Sequence, residues 1–588
     1  MKKFIQLLAL ASVVVSAGFL QSCNEDEVGA APTVELDATS GSNTPGNSVT
    51  ITATVNAPNG GEFLNVFVNG AEAESYEIGG ERDFTQEFTY QVPANAVIGS
   101  TIIISFQAVD RDDYPSAIAN FVLTVGDPVV RLQGTLATQT LSANTVYLLV
   151  GQVFIPNGVT LTIPAGTIIK GDKASKAVLV VQPGGQLVAN GTSTNPVVFT
   201  SAQNVGERDR GDWGGIVMLG NAWVNQTALP SIEGISPAQT YGNITSPSTN
   251  ATSSSGTLNY VRIEYAGIEL TPNNETNSIT FGGVGSNTAV NYVQVSFGGD
   301  DGFEWFGGSV NAKYLVSHST WDDDFDTDFG WGGNVQFGLV VRNPFFADQS
   351  GSNAFESDNQ GNANDTPPAA APATGYTRGV FSNITVLGPR DISSRSISAN
   401  YQNAMHIRRR SALSIFNSVF TGFRTGLRID DQATLDNLNA GTSKLAYNLL
   451  IVPGANTTST TATQADAAYI TGLSNGDATA VRTYWEANNN ALIVGSPAFA
   501  AADTRYADAG LNQAAFWGGL NASNYPSNPS FALLAGANGA ANNLNTGANF
   551  TDAKVSGAFF TTTTYRGAFG TTDWTDGWAE FQPLNKVY

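Results

Sequence analysis

The feature that most constrains this chain is a spacing. Val159, Val178, Val197 and Ile216 lie 19 residues apart, and so do Leu161, Val180, Phe199 and Met218. Two apolar ladders with one period describe stacked coils, because each coil carries an inward row that only its neighbours bury. Pro164-Ala165-Gly166-Thr167-Ile168-Ile169 is echoed at the same spacing by Pro183-Gly184-Gly185-Gln186-Leu187-Val188, which adds a second strand and its turn to every coil. Further on, strands open on Asn259, Asn291, Asn311, Asn334, Asn383, Asn417 and Asn448, and Phe281-Gly282-Gly283, Phe306-Gly307-Gly308 and Trp331-Gly332-Gly333 recur at steps of 25. The pattern predicts a parallel β-helix over 131–455 whose coils, stacked at about 4.8 Å, lengthen from 19 to about 22–25 residues.

Before the ladders, residues 31–127 alternate apolar and polar residues in short runs such as Val49 to Val55 and Ile102 to Val109, separated by turn residues such as Pro58-Asn59-Gly60-Gly61. That is the pattern of an antiparallel sandwich. After the ladders, 456–588 is rich in Ala, Asn, Thr and Gly and is expected to cap the open end of the coils, with short helices near 478–488 and 511–517. The class is therefore all-β. Of 588 residues only 13% are charged, with a net charge of −22, and a field of that sign repels phosphate backbones, so no nucleic-acid partner is expected. One Cys and two His exclude a disulfide framework and leave little room for thiolate or imidazole metal chemistry.

The single Cys has a different use. Lys2 and Lys3 precede an apolar run from Phe4 to Leu20 that ends in Leu20-Gln21-Ser22-Cys23, too short for a lasting span. This resembles a bacterial lipobox: 1–22 reads as a lipoprotein signal peptide and Cys23 as the lipid attachment residue. Asn24-Glu25-Asp26-Glu27, in the acidic linker 23–30, is similar to the export signal of surface lipoproteins in Bacteroidota. The expected location is the outer membrane, lipid-anchored, at the cell surface.

Between Asp300 and Asp328, 29 residues hold eight acids and one Lys. Tyr292-Val293 aligns with Tyr314-Leu315 at a step of 22, and the same step lays Asp300 on Asp322, Asp301 on Asp323 and Glu304 on Asp326. Carboxylates one strand spacing apart repel by about 3.5 kcal/mol at an effective dielectric of 20. A cation is expected to neutralise them. All-oxygen ligands and flexible geometry select Ca²⁺ over Mg²⁺, so the expected metal ligands are Asp300, Asp301, Glu304, Asp322, Asp323, Asp324, Asp326 and Asp328. Trp321 and Trp331, next to turns, are expected to stack on sugar rings. His406, Arg408 and Arg410 share one face if extended, and Arg408 and Arg410 are expected to contact ligand or neighbouring acids. His318 reads as a satisfied structural histidine.

These stretches resemble the pectin-lyase-like right-handed β-helix superfamily, with an immunoglobulin-like sandwich in front. More closely, Gly211 to Val217, Asp300 to Gly308, Asp322 to Phe329, Gly351 to Asp358 and Tyr565 to Phe569 are similar to a family of bacterial surface lipoproteins with no assigned activity. The resemblance implies the fold and export but no reaction. Two functions remain open: a calcium-binding surface protein whose partner is a glycan or an outer-membrane protein, or a polysaccharide lyase or glycoside hydrolase using Asp300, Asp301 and Asp323. The first is expected, since the chain lacks the Gly-His-Gly and Arg-Ile-Lys motifs that accompany an Asp-Asp pair in polygalacturonases.

Overall fold

The computed structural model describes residues 30–126, 129–143, 145–271, 274–359, 375–392, 395–451, 469–473, 478–493, 505–521, 523–534 and 544–588. The signal peptide read at 1–22 and the lipid site Cys23 lie outside them. Two compact units divide the chain, Met1–Pro128 and Val129–Tyr588.

The first unit is a β-sandwich. Thr33–Leu36, Ser48–Asn56 and Asp83–Gln91 form one antiparallel sheet. Ser40–Asn43, Ala119–Val125, Thr101–Asp110, Gly61–Val68 and Ala71–Glu77 form the other, in that order. Alternation decides the core: Ile102, Ile104, Phe106 and Ala108 of one strand point inward and meet Ile51, Ala53, Val55 and Phe88 from the facing sheet.

The second unit is a parallel β-helix, with 26 strands in one continuous parallel sheet. Each coil has three faces. Asn311–His318 supplies two of them by bending at Tyr314, and Phe303–Phe306 and Phe325–Asp328 belong to the third. The register corrects the expected period. Val153 pairs with Leu179, 26 residues on, and Leu179 with Ile216, 37 residues on. The 19-residue spacing thus links strands on different faces, Val159 preceding a first-face strand and Val197 opening a second-face one. The 25-residue step also falls out of register, since Phe281 pairs with Trp305 and not Phe306. The step of 22 is observed between two of the coils, with Val293 on Leu315 and Phe303 on Phe325.

The bend between the first two faces is made by residues in the left-handed region: Tyr260, Tyr292, Tyr314 and Phe337 have φ of 50°, 54°, 61° and 65°. A non-glycine residue held there is strained by about 1–2 kcal/mol. What offsets it is stacking, with ring centroids 4.3, 4.3 and 5.0 Å apart along the column and Trp574 and Trp578 packed edge-on against it.

Those tryptophans belong to a strap, residues 544–588, which runs along the flank of the coils. Gly567 N–H donates to Asn417 O (2.7 Å), Thr561 N–H to Gln336 Oε1 (2.8 Å) and Glu580 N–H to Gln294 Oε1 (2.8 Å), and Tyr588 hydroxyl donates to Glu264 Oε1 (2.5 Å). The expected cap at 456–588 is therefore two things. The helix Thr479–Ala487 adds Val481, Tyr484 and Trp485 to the end of the internal core, and the described residues 544–588 lie along the side. The coils also run on beyond 455, to Ala491–Ile493 paired with Leu449–Ile451.

His318 sits between coil and strap with both ring nitrogens buried and no hydrogen-bond partner, against Trp517, Phe297, Tyr525 and Phe581. It is structural but not satisfied as expected. Burial holds its pKa down to about 3, below the unfolded value, so the folded state loses stability as pH falls below about 6.5. At pH 5 the penalty is about 2 kcal/mol. His318→Phe is accordingly expected to raise the melting temperature more at pH 5 than at pH 8; equal shifts at the two pH values would contradict this.

Candidate metal-binding cleft

Two successive coils open their third-face strand with the same pattern, Asp300-Asp301-Gly302-Phe303-Glu304 and Asp322-Asp323-Asp324-Phe325-Asp326. Phe303 and Phe325 pair and stack inside the coil at 5.7 Å, and strand alternation then turns Glu304 and Asp326 outward, one above the other. Gly302 lets the two turns approach: a Cβ there would lie 2.9 Å from Asp324 O. Asp301 Oδ1 accepts the backbone N–H of Asp323 at 2.8 Å, which ties the acid of one coil to the turn of the next.

The result is two groups of three carboxylates that share Asp301. Asp300, Asp301 and Asp322 form one, and Asp301, Glu304 and Asp326 the other, each with one oxygen per residue lying within 4.8 Å of the others. None of these five residues forms an ion pair among the described residues, and Asp322 Oδ1 and Asp326 Oδ1 are buried without a hydrogen-bond partner. Burial, then the neighbouring acids, holds Asp300, Asp301, Glu304 and Asp326 far above the usual carboxylate range, and burial pushes Asp322 up to about 7. Such groups either keep their protons or take a cation.

The first group opens into a cleft of about 690 Å³ lined by Glu269, Glu275, Asp300, Trp321, Asp322 and Asp348 among others. Trp321 Nε1 donates to Asp348 Oδ1 (2.7 Å), and Ser350 Oγ lies between the carboxylates of Asp348 and Asp322. Over the Trp321 ring, at 3.6 Å, lies the guanidinium of Arg210. It makes no side-chain hydrogen bond or ion pair among the described residues.

One coil further on, charges are paired. Asp326 registers with Glu356 and Glu356 with His406. His406 bridges Glu356 Oε2 (3.3 Å) and Asp430 Oδ2 (2.9 Å), while Arg408 bonds both Glu356 and Asp358, and Arg409 bonds Asp358. Against the raising effect of burial, His406 and these arginines hold Glu356 below its ordinary value. Asp300, Asp301, Glu304, Asp322 and Asp326, without ion pairs among the described residues, thus give way to a neutralised network one coil further on.

Several expected site residues fall elsewhere. Asp324 is wholly buried in an ion pair with Arg342 (3.2 Å) and accepts from Ser317 and Thr320, so it faces away from the acids. Asp323 Oδ1 accepts the backbone N–H of Asn353 at 2.5 Å, and Asp323 belongs to neither carboxylate group. Asp328 accepts from Phe329 N–H beside Asp358 and joins neither group. Trp331 has no exposed surface; it stacks on Trp305 at 5.0 Å inside the coil, because the turn that carries it folds inward. Trp321 does line the cleft. The chain leaves the strand Asn403–Ile407 before Arg408, and positive φ at Arg409 and Arg410 turns it, so the expected common face does not form. Arg408 is ion-paired, and Arg410 bonds through its backbone N–H to Thr434 Oγ1.

Sequence reasoning missed Glu269, Glu275, Asp348, Ser350 and Arg210. Glu269 and Glu275 lie on a hairpin inserted between Glu264 and Ile279, in residues that exceed what a coil needs, and that excess was the available signal.

Residues 134–490 match the family model described as a pectate-lyase like beta helix domain. Among curated proteins, no sequence matches the chain. A solved structure of fibronectin(III)-like modules of CbhA from Clostridium thermocellum is similar over 17% of this chain and 49% of that one, at 25% identity and a TM-score of 0.14. The chain thus spans about half the length of that structure.

Proposed function

Because the chain belongs to the pectate-lyase-like β-helix family, with a carbohydrate-related role, we propose that it is a lipid-anchored surface protein of the outer membrane that binds glycan through calcium held in the acidic cleft. One observation carries the reading: five carboxylates in two groups sharing Asp301, none of them ion-paired among the described residues. Asp300, Asp301, Glu304, Asp322 and Asp326 fit a hard cation, which takes six to eight oxygens. Three carboxylates per group leave positions open. A glycan hydroxyl or carboxylate fills them when bound, with Trp321 as the wall of the cleft. The anchor, through Cys23, keeps the cleft at the cell surface.

The expected result is retention on at least one immobilised polysaccharide in Ca²⁺, loss of retention in chelator, and about tenfold weaker binding in Trp321→Ala. Failure to bind any of a panel of neutral and acidic polysaccharides in Ca²⁺ would sink the reading. A second reading rests on Arg210, whose guanidinium is held over Trp321 with no hydrogen-bond acceptor among the described residues. It makes the same cleft that of a polysaccharide lyase, with Arg210 beside the metal-bound acid sugar. Release of unsaturated ends from a polyuronate, abolished in Asp300→Asn, would establish that reading over the first.

A further inference from the structure

Two coils before the acidic cleft, the same face of the β-helix carries a second recess of opposite character. It has a volume of about 370 Å³ and is lined by Asn157, Gln182, Asn221, Leu229, Thr240 and Tyr241 among others, with no charged side chain among the described residues that line it.

The recess arises from an excursion. After the strand Ile216–Leu219 the chain leaves the coil, and Ile232, Ile235 and Tyr241 return to cover Val178, Val180, Val217 and Leu219. This outward face would otherwise be bare hydrocarbon. The cover is pinned at its rim, where Gln182 Nε2 donates to Gln239 Oε1 (2.6 Å) and Gln239 Nε2 to Pro237 O (2.7 Å). That pairing consumes one hydrogen-bonding end of Gln182 and fixes the other, its Oε1, as an acceptor. The side chains of Asn157, Asn221 and Thr240 make no hydrogen bond among the described residues. Tyr241 is buried beneath them and Leu229, 48% exposed, forms an apolar lip.

From this arrangement we infer a metal-independent binding site for a neutral saccharide. A primary amide offers one donor and one acceptor side by side, which matches a pair of vicinal hydroxyls; Asn157 and Asn221 supply two such groups around one recess, and Gln182 adds an acceptor. Pro183 and Leu229 meet the C–H face of the ring. A charged sugar has no counter-ion here, and an apolar ligand would leave the amides unpaired. The site does not depend on calcium in the cleft, so the two assignments fail separately.

The test is calorimetric titration of the whole protein in chelator with cellohexaose, xylohexaose, mannohexaose and maltohexaose, and with a hexauronate as the charged control. At least one neutral hexamer is expected to bind, about tenfold more weakly in Asn221→Ala with Thr240→Ala. Both substituted side chains lie free at the surface, and an unchanged melting temperature checks the fold. If no neutral hexamer binds, if only the hexauronate does, or if the double substitution leaves binding intact, the assignment is wrong.

Discussion

Calcium added to chelator-treated protein at about a hundred times its dissociation constant is expected to raise the melting temperature by about 3–5 °C, the shift that some 2.7 kcal/mol of linkage produces in a unit of this size. The pH dependence follows from the same carboxylates. Asp322 is raised to about 7 by burial, and Asp300, Asp301, Glu304 and Asp326 are raised further. Between pH 4 and 7 these carboxylates have released protons in the unfolded chain that the folded chain retains, so they make metal-free protein less stable as pH rises, against the opposite slope of His318. Calcium favours the ionised form and flattens that slope. Asp301, common to both carboxylate groups, is the decisive position. Asp301→Asn is expected to abolish the calcium shift while making metal-free protein more stable at pH 8. A melting temperature indifferent to calcium, or a shift that survives Asp301→Asn, would remove the metal from the cleft.

The second large effect separates the acids of the cleft from their buried neighbour. Arg342 and Asp324 both have side chains with no exposed surface, and Arg342 Nη1 also donates to Thr320 Oγ1 (2.7 Å) and Asp322 O (2.7 Å), with the Tyr401 ring 5.0 Å from its guanidinium carbon. Removing one member leaves a buried charge alone. Arg342→Ala is therefore expected to destabilise by about 3–5 kcal/mol in urea unfolding. Replacing the pair together, Arg342→Met with Asp324→Leu, is expected to recover most of that loss, since apolar residues of like volume need no desolvated partner. The calcium shift should persist in the double variant. A loss below about 1 kcal/mol in Arg342→Ala, or disappearance of the calcium shift in the double variant, would show that the pair does not have this structural role.

What could be read from the chain divides along physical lines. The β-helix itself was legible because its inward rows are apolar whichever strands they belong to. Its period was not: short strands on three faces, separated by turns and excursions, put Val178 and Val197 at equal sequence spacing on different faces. The step of 22 succeeded because the coils holding Phe303 and Phe325 carry no excursion between them, and it brought Asp300 to Asp322 and Glu304 to Asp326 correctly. Direction was harder than position. Asp324 is flanked by acids in sequence, yet the bend of the coil sends it to Arg342, and Trp331, beside two glycines, folds in where a turn suggested out. Arg210 is brought to Trp321 from 111 positions earlier in the chain, and no local pattern announces such a contact.

The strap along the flank bears on cooperativity. An open solenoid is held by nearest-neighbour contacts, so its coils can fray one at a time from either end. Here Lys170 Nζ bonds Tyr588 O across 418 positions, and Arg262, Gln294, Lys313, Gln336, Asn383 and Asn417 from successive coils bond the same strap. Bringing ends together over so long a loop is entropically opposed in an unfolded chain, but once the coils have stacked they already lay the partners out in a row. The strap thereby ties a one-dimensional stack into a unit whose coils open together.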